Sequence, residues 1–178
     1  SAIRPPSSVL CIQALLSISI QFVIHAAALL LATEAGLHFV DEYDPSLVPD
    51  VPFNPNVLNS CSFLLPCLAT IKTFAVNYRG RPFMADLREN KLLYRSLQVC
   101  YAVLIASALE VFPPLNDLLQ LTELPVADED EAMNLSHPLF RIIRAFDFRV
   151  FICALMATDT ILAFAAERFI IARFEGIQ

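Results

Sequence analysis

The sequence predicts an all-α polytopic membrane protein, a bundle of four transmembrane helices with both termini cytosolic. Three observations lead there. Apolar stretches recur at about residues 9–33, 57–78, 96–112 and 148–168, each near the length that crosses a bilayer as a helix. The 178 residues are 57% hydrophobic and only 17% charged, with 3 glycines, too apolar for a water-soluble domain of this size. The acids and bases are also segregated by loop, which orients a membrane protein. One membrane-embedded domain over residues 1–178 is expected.

The first stretch, Val9 to Thr33, holds no charged side chain. At 1.5 Å per residue it makes a helix of roughly 37 Å, enough to cross about 30 Å of hydrocarbon with some tilt. It is longer than the apolar region of a signal peptide, and Thr33-Glu34-Ala35 is a poor cleavage site, so it reads as a span. The following loop has Glu34, Asp41, Glu42, Asp44 and Asp50 without a Lys or Arg. Span two contains Pro66, which is expected to kink it, with Ser62 or another helix satisfying the freed carbonyl. The next loop is basic, with Arg79, Arg81, Arg88, Lys91 and Arg95, and the positive-inside rule makes it cytosolic. Pro113-Pro114 is expected to end span three. The loop beyond it has an acidic cluster, Asp128, Glu129, Asp130 and Glu131, followed by an amphipathic stretch around Leu139 to Phe146. In this topology Asn134-Leu135-Ser136 is a glycosylation acceptor on the lumenal side, with Asn134 as its residue. Span four leads to Arg168 and Arg173, which again face the cytosol.

Polar groups within the spans each have a structural and a functional reading. Lys72 lies six residues before Tyr78, roughly 9 Å along a helix, so its stem is expected to snorkel to the surface rather than coordinate an ion. Asp159 sits in mid-span, where an acid costs about 2.5–3.5 kcal/mol on insertion scales. Its apolar neighbours just offset this at roughly 0.3–0.6 kcal/mol each, so Asp159 is expected to face the bundle, as hydrogen-bonding glue or as part of a transport path. Gln13, Gln21 and His25 recur eight and four residues apart, a polar stripe of the kind that joins helices. All five cysteines lie in apolar stretches and read as packing residues, and no metal site is expected. There is no phosphate loop, nucleophile motif or nucleic-acid patch, so no cofactor is expected in this segment and the chain is not a complete enzyme.

The run Thr73-Phe74-Ala75-Val76-Asn77-Tyr78-Arg79-Gly80-Arg81-Pro82-Phe83-Met84, with Leu87 and Glu89-Asn90-Lys91 after it, resembles the hairpin between transmembrane helices eight and nine of type V P-type ATPases. Its physical sense is local. Tyr78 sits at the interface, Gly80 and Pro82 reverse the chain, and Asn90 caps the next helix. Arg4-Pro5, Gln21-Phe22 with His25, Pro45-Ser46-Leu47-Val48, Asp159, Leu162-Ala163 and Ala166-Glu167-Arg168 extend the resemblance in family order. The Asn-Tyr-x-Gly-x-Pro-Phe-Met form is similar to subgroup A, the endoplasmic-reticulum enzymes, more than to the endolysosomal subgroup B.

The resemblance implies helices seven to ten of an ATP-driven pump that removes mistargeted transmembrane helices from the endoplasmic-reticulum membrane. It implies ATP and Mg2+ for the parent enzyme, held outside this segment, and no catalytic residue within it. The implied partners are the lipid bilayer, the other transmembrane helices and the cytosolic domains of the parent; no nucleic acid is implied. The hairpin residues Arg79 and Arg81 are expected to touch the phosphorylation domain. Two features depart from the family pattern: the acidic cluster lengthens the last lumenal loop, and Arg88 and Leu92 stand where prolines are expected. The alternatives are a polyamine exporter of subgroup B, in endolysosomes, and a freestanding four-helix scaffold. The start at Ser1, without an initiating Met, is expected to tell against the scaffold.

Overall fold

A computed structural model describes residues 11–37, 39, 54–78, 80–81, 84–125 and 147–175. Five helices form among them: α1 (Ile12–Leu37), α2 (Val57–Asn77), α3 (Lys91–Ala108), α4 (Pro113–Leu118) and α5 (Phe148–Glu175). No strand occurs among the described residues. Three helices are long and apolar enough to cross a membrane: α1, α2 and the Phe148–Phe174 part of α5. The chain is therefore an all-helical polytopic membrane protein.

The long helices pack as a triangle, with α1 against both α5 and α2, and α2 against α5. Contacts between residues 17 and 167, 25 and 159, and 21 and 77 make α1 antiparallel to both partners. The start of α1, the end of α2 and the end of α5 thus share one end of the bundle with the turn at residues 78–90. Small residues let the backbones approach at the other end, where Ala28, Ala32, Ala35 and Gly36 of α1 are buried. A Cβ on Gly36 would meet Leu58 Cδ2 at 3.2 Å, so the α1–α2 contact leaves little room for one. Below it lies the apolar core, built from Leu64, Leu65 and Leu68 of α2 with Phe148, Ile152 and Met156 of α5. Phe39 caps this core edge-on to Phe148, with ring centroids 5.2 Å apart. The outward faces of α1 and α5 remain apolar and exposed, as at Phe22, Val23, Leu30, Ile161 and Phe169.

Helix ends follow local chemistry more than hydropathy. The helices α1 and α5 outrun the expected spans, because a backbone already hydrogen-bonded inside a helix continues into the interface beyond the apolar core. Asn56 caps α2, its side chain accepting from the Asn59 N–H at 2.8 Å. The helix then runs unbroken through Pro66. The expected third span differs most. α3 covers Lys91–Ala108, is 18 residues long and is not among the helices apolar enough to span. Lys91, Arg95 and Gln98 dilute its first half. Nor do Pro113 and Pro114 end it. α3 stops at Ala108, where Glu110 turns left-handed (φ 55°), its N–H donating to Ser107 O and the Val111 N–H to Ala106 O. Proline tolerates the first helical turn, and this pair opens α4. Gln120 (φ 53°) repeats the same stop after α4.

The far end of the bundle is tied by side chains. The Asn116 amide donates to Ser107 O at 2.9 Å, and the Thr122 N–H donates to Ser60 Oγ at 3.0 Å. Arg149 bridges Asp147, at 2.9 Å, and Glu110, at 3.3 Å. Glu110 in turn accepts from the Leu124 N–H.

Candidate functional site: a buried polar ladder between three helices

The positions facing inward on α2 run Val57, Cys61, Leu64, Leu68, Lys72, Val76. Successive members lie three or four residues apart, so all share one helical face. Lys72 is a member of that core stripe and is only 2% exposed. On α5 the equivalent stripe is Phe148, Ile152, Met156, Asp159, Ala163, Glu167, Ile170, and on α1 it passes through Ser17, Gln21 and Ala28. Where the three stripes converge toward the hairpin end, their side chains become polar.

Two clusters result. In the deeper one, Lys72 Nζ donates to Asp159 Oδ2 at 2.5 Å, and His25 Nδ1 stands 3.5 Å from the same oxygen. Asp159 is 1% exposed. A single carboxylate therefore stands where all three long helices meet, bonded to α2 and close to α1. Asp159 Oδ1 and His25 Nδ1 are buried without a hydrogen-bond partner among the described residues. Nearer the hairpin, the Ser17 hydroxyl donates to Glu167 Oε2, the Gln21 amide donates to Ser17 Oγ at 2.9 Å and to Asn77 Oδ1 at 3.0 Å, and the Asn77 amide returns a bond to Gln21 Oε1 at 3.3 Å. The Gln21–Ser17 bond runs within α1, whereas the Ser17–Glu167 and Gln21–Asn77 bonds link α1 to α5 and α2, as polar residues within membranes do.

Of the expected contacts, Gln21, His25 and Asp159 are placed in this ladder, while Lys72 departs from expectation. It was expected at the surface, but the helical face it occupies carries it inward to Asp159. Its pairing neutralises both charges, so Asp159 has a partner stronger than a neutral hydrogen bond. Ser17 and Glu167 were not singled out by sequence reasoning as contacts. Their positions on the core stripes, four residues from Gln21 and eight from Asp159, were the available signal.

The turn at the polar end is self-contained. Tyr78 Oη donates to Ala85 O at 3.0 Å, and the Arg81 N–H donates to Asp86 Oδ1 at 3.1 Å. The Arg81 guanidinium is bound by Glu89 and lies 3.8 Å from Asp86. Arg81 thus closes the hairpin on itself. A Cβ on Gly80 would fall 2.2 Å from Asp86 Oδ1 and 2.9 Å from Asp86 Cα, which fixes glycine there. Asn90 caps α3, accepting from the Leu93 N–H at 3.3 Å, and Lys91 begins that helix. Arg79, Pro82, Phe83 and Asn134 lie outside the described residues, as does the acidic cluster at 128–131.

Among the described residues no three His, Cys, Asp or Glu side chains gather as a metal cradle. Nor do they suit a nucleotide. Gly36 lies inside a helix and Gly80 faces the Asp86 carboxylate, which would repel a phosphate.

No family model matches the chain. Individual relatives do. The chain is 33% identical over 148 residues, 83% of its length, to the probable manganese-transporting ATPase PDR2 of Arabidopsis thaliana. It is 32% identical over 126 residues to the endoplasmic reticulum transmembrane helix translocase of Saccharomyces cerevisiae, and 34% over 121 residues to that of Schizosaccharomyces pombe, matches covering 71% and 68% of its length. The chain belongs to the type V P-type ATPases, subgroup A. It spans about a tenth of the length of these relatives, 12% of the plant ATPase and 10% of each yeast translocase. As a type V ATPase segment with three apolar spans, it is an integral protein of the endoplasmic-reticulum membrane. The buried ladder and the closed hairpin are therefore features of the membrane part of such an ATPase.

Proposed function

We propose that the chain is the support region, helices seven to ten, of an ATP-driven pump that removes mistargeted transmembrane helices from the endoplasmic-reticulum membrane. In this reading α1, α2, α3 and α5 are the four helices, with the hairpin and both termini in the cytosol; α3, too polar in its first half to qualify as a span by its own hydropathy, crosses as the ninth beside its neighbours. The basic hairpin and the acidic first loop favour that orientation. One observation supports the support role above others: a single carboxylate, Asp159, lies buried where α1, α2 and α5 meet, paired with Lys72 of α2 and 3.5 Å from His25 of α1. A bundle locked this way resists the movements that carry a substrate, and it gives the mobile helices of a pump a fixed surface to work against. ATP and Mg2+ belong to cytosolic domains of the parent, and the residues here take no part in binding them.

The test is an immunoblot of native membranes with an antibody against the 79–91 hairpin. The expected band is several times larger than 19.8 kDa. A band at 19.8 kDa would identify a freestanding helical protein and remove the ATPase reading.

A further inference from the structure

At its basic end α3 stands away from the rest of the bundle. Its face of Tyr94, Leu97, Gln98 and Tyr101 does not close on Thr160 and Phe164 of α5, and a cleft of about 400 Å³ remains over Ile71 and Ala75 of α2. That volume lies within the range of about 300–1,000 Å³ typical of ligand sites. The walls are chiefly apolar, and Lys72, at one edge, is already committed to Asp159. The cleft is open, since Gln98 and Ala102 along it are exposed. The side-chain polar atoms of Tyr94, Gln98 and Tyr101 have no protein partner among the described residues.

The charge at the same end is also unsatisfied. Whereas Arg81 is held by Glu89, the side chains of Arg88, Lys91 and Arg95 are exposed and form no ion pair or hydrogen bond among the described residues. Lys91, Arg95, Gln98 and Ala102 are spaced by four, three and four residues, so they form one stripe along α3. Two cations thus continue the row that lines the cleft, one and two turns nearer the water. An open apolar cleft at bilayer depth takes an acyl chain; Lys91 and Arg95 are exposed just beyond its hairpin end, where Leu87 also lines it, and cations so placed favour a negative headgroup. We propose that the cleft between α2, α3 and α5 binds one anionic phospholipid, its acyl chain between Leu97, Tyr101 and Phe164 and its phosphate at Lys91 and Arg95. The proposal depends on the membrane fold and not on the ATPase activity.

The test uses the full-length protein that contains this chain, purified in detergent and placed in phosphatidylcholine nanodiscs with phosphatidic acid bearing a photoreactive group on its acyl chain. Mass spectrometry is expected to map adducts to the 94–102 and 160–164 peptides. Excess phosphatidic acid should suppress them, and excess phosphatidylcholine should not. The K91Q/R95Q variant removes two exposed charges and should fold normally, while the preference for the anionic lipid falls by roughly tenfold or more. Ala102→Leu narrows the cleft and is expected to reduce adducts from both lipids. Equal competition by phosphatidylcholine would overturn the proposal. So would an undiminished preference in K91Q/R95Q, or cross-linking of another segment of the polypeptide into the cleft in place of lipid.

Discussion

Lys72 and Asp159 show how burial changes the meaning of a charge. Removing one partner of a buried pair strands the other, at a cost of about 3–5 kcal/mol, whereas replacing both with apolar groups of similar size is often close to neutral. Lys72→Met and Asp159→Leu are therefore each expected to lower the thermal stability of the purified protein severely, and the double variant is expected to recover most of the loss. A double-mutant cycle from melting curves measures the coupling, and additive losses would mean that the pair contributes nothing. If the double variant folds but the parent's turnover collapses, Asp159 belongs to a transport path. The distance of Lys72 from the helix end was legible in the sequence, but distance along a helix does not say which side faces the core. Leu68, Lys72 and Val76, four residues apart, say that. Asp147 offers a second test, at the opposite end. Its hydrogen bond to Arg149 holds its carboxyl below the usual range, with burial opposing more weakly. A depressed native pKa stabilises the fold above the unfolded value, about 3.9, and that stability is lost as pH falls through the lower native value. Melting curves at neutral pH and below pH ~4 should show a larger loss for the wild type than for Asp147→Asn; parallel curves would remove the claim.

Among the elements, turns and caps decide where helices stop. At Gly80 the obstacle to a side chain is the Asp86 backbone, which cannot rotate away. Gly80→Ala is expected to open the hairpin and expose it to limited proteolysis, and an unchanged cleavage rate would show that the turn relaxes freely. Gln120 presents the reverse case. It is exposed, lies at φ 53° and is bound only through its backbone, so Gln120→Gly is expected to stabilise the protein by about 1 kcal/mol, read as a raised melting temperature. Glu110 has the same backbone geometry, but its carboxylate holds Leu124 and Arg149, so glycine there gives no such gain. The Asn90 cap was legible because asparagine before an apolar-periodic run is a local signal. The left-handed stops were not, because glutamate and glutamine carry no turn signature. Hydropathy therefore placed the end of α3 at the prolines, past its hydrogen-bonded stop.

Across the whole molecule, burial is uneven. The inward stripes of α1, α2 and α5 are buried along their lengths, whereas α3 buries only Leu104, Ser107 and Ala108, all at the end away from the hairpin. Four apolar stretches were enough to read the four long helices and their order, though not α4 or the bounds of α3, because length and composition are properties of single segments. The unequal coupling of the helices was not readable, since it depends on which stripes converge in space. Local opening follows contact density, so the two halves of α3 should differ in dynamics. In detergent, amide hydrogens at 91–102 are expected to exchange at least about tenfold faster than those of α2 at the same depth, while 103–108 exchange slowly. Adding phosphatidic acid should slow exchange at 94–102 and leave α1 unchanged, because a lipid in the cleft contacts α3 and none of the α1 stripe. Uniform protection across α3 without lipid would mean that the helix is held as firmly as the others, and that the cleft is a fixed groove rather than the seam between a rigid three-helix unit and a separable fourth helix.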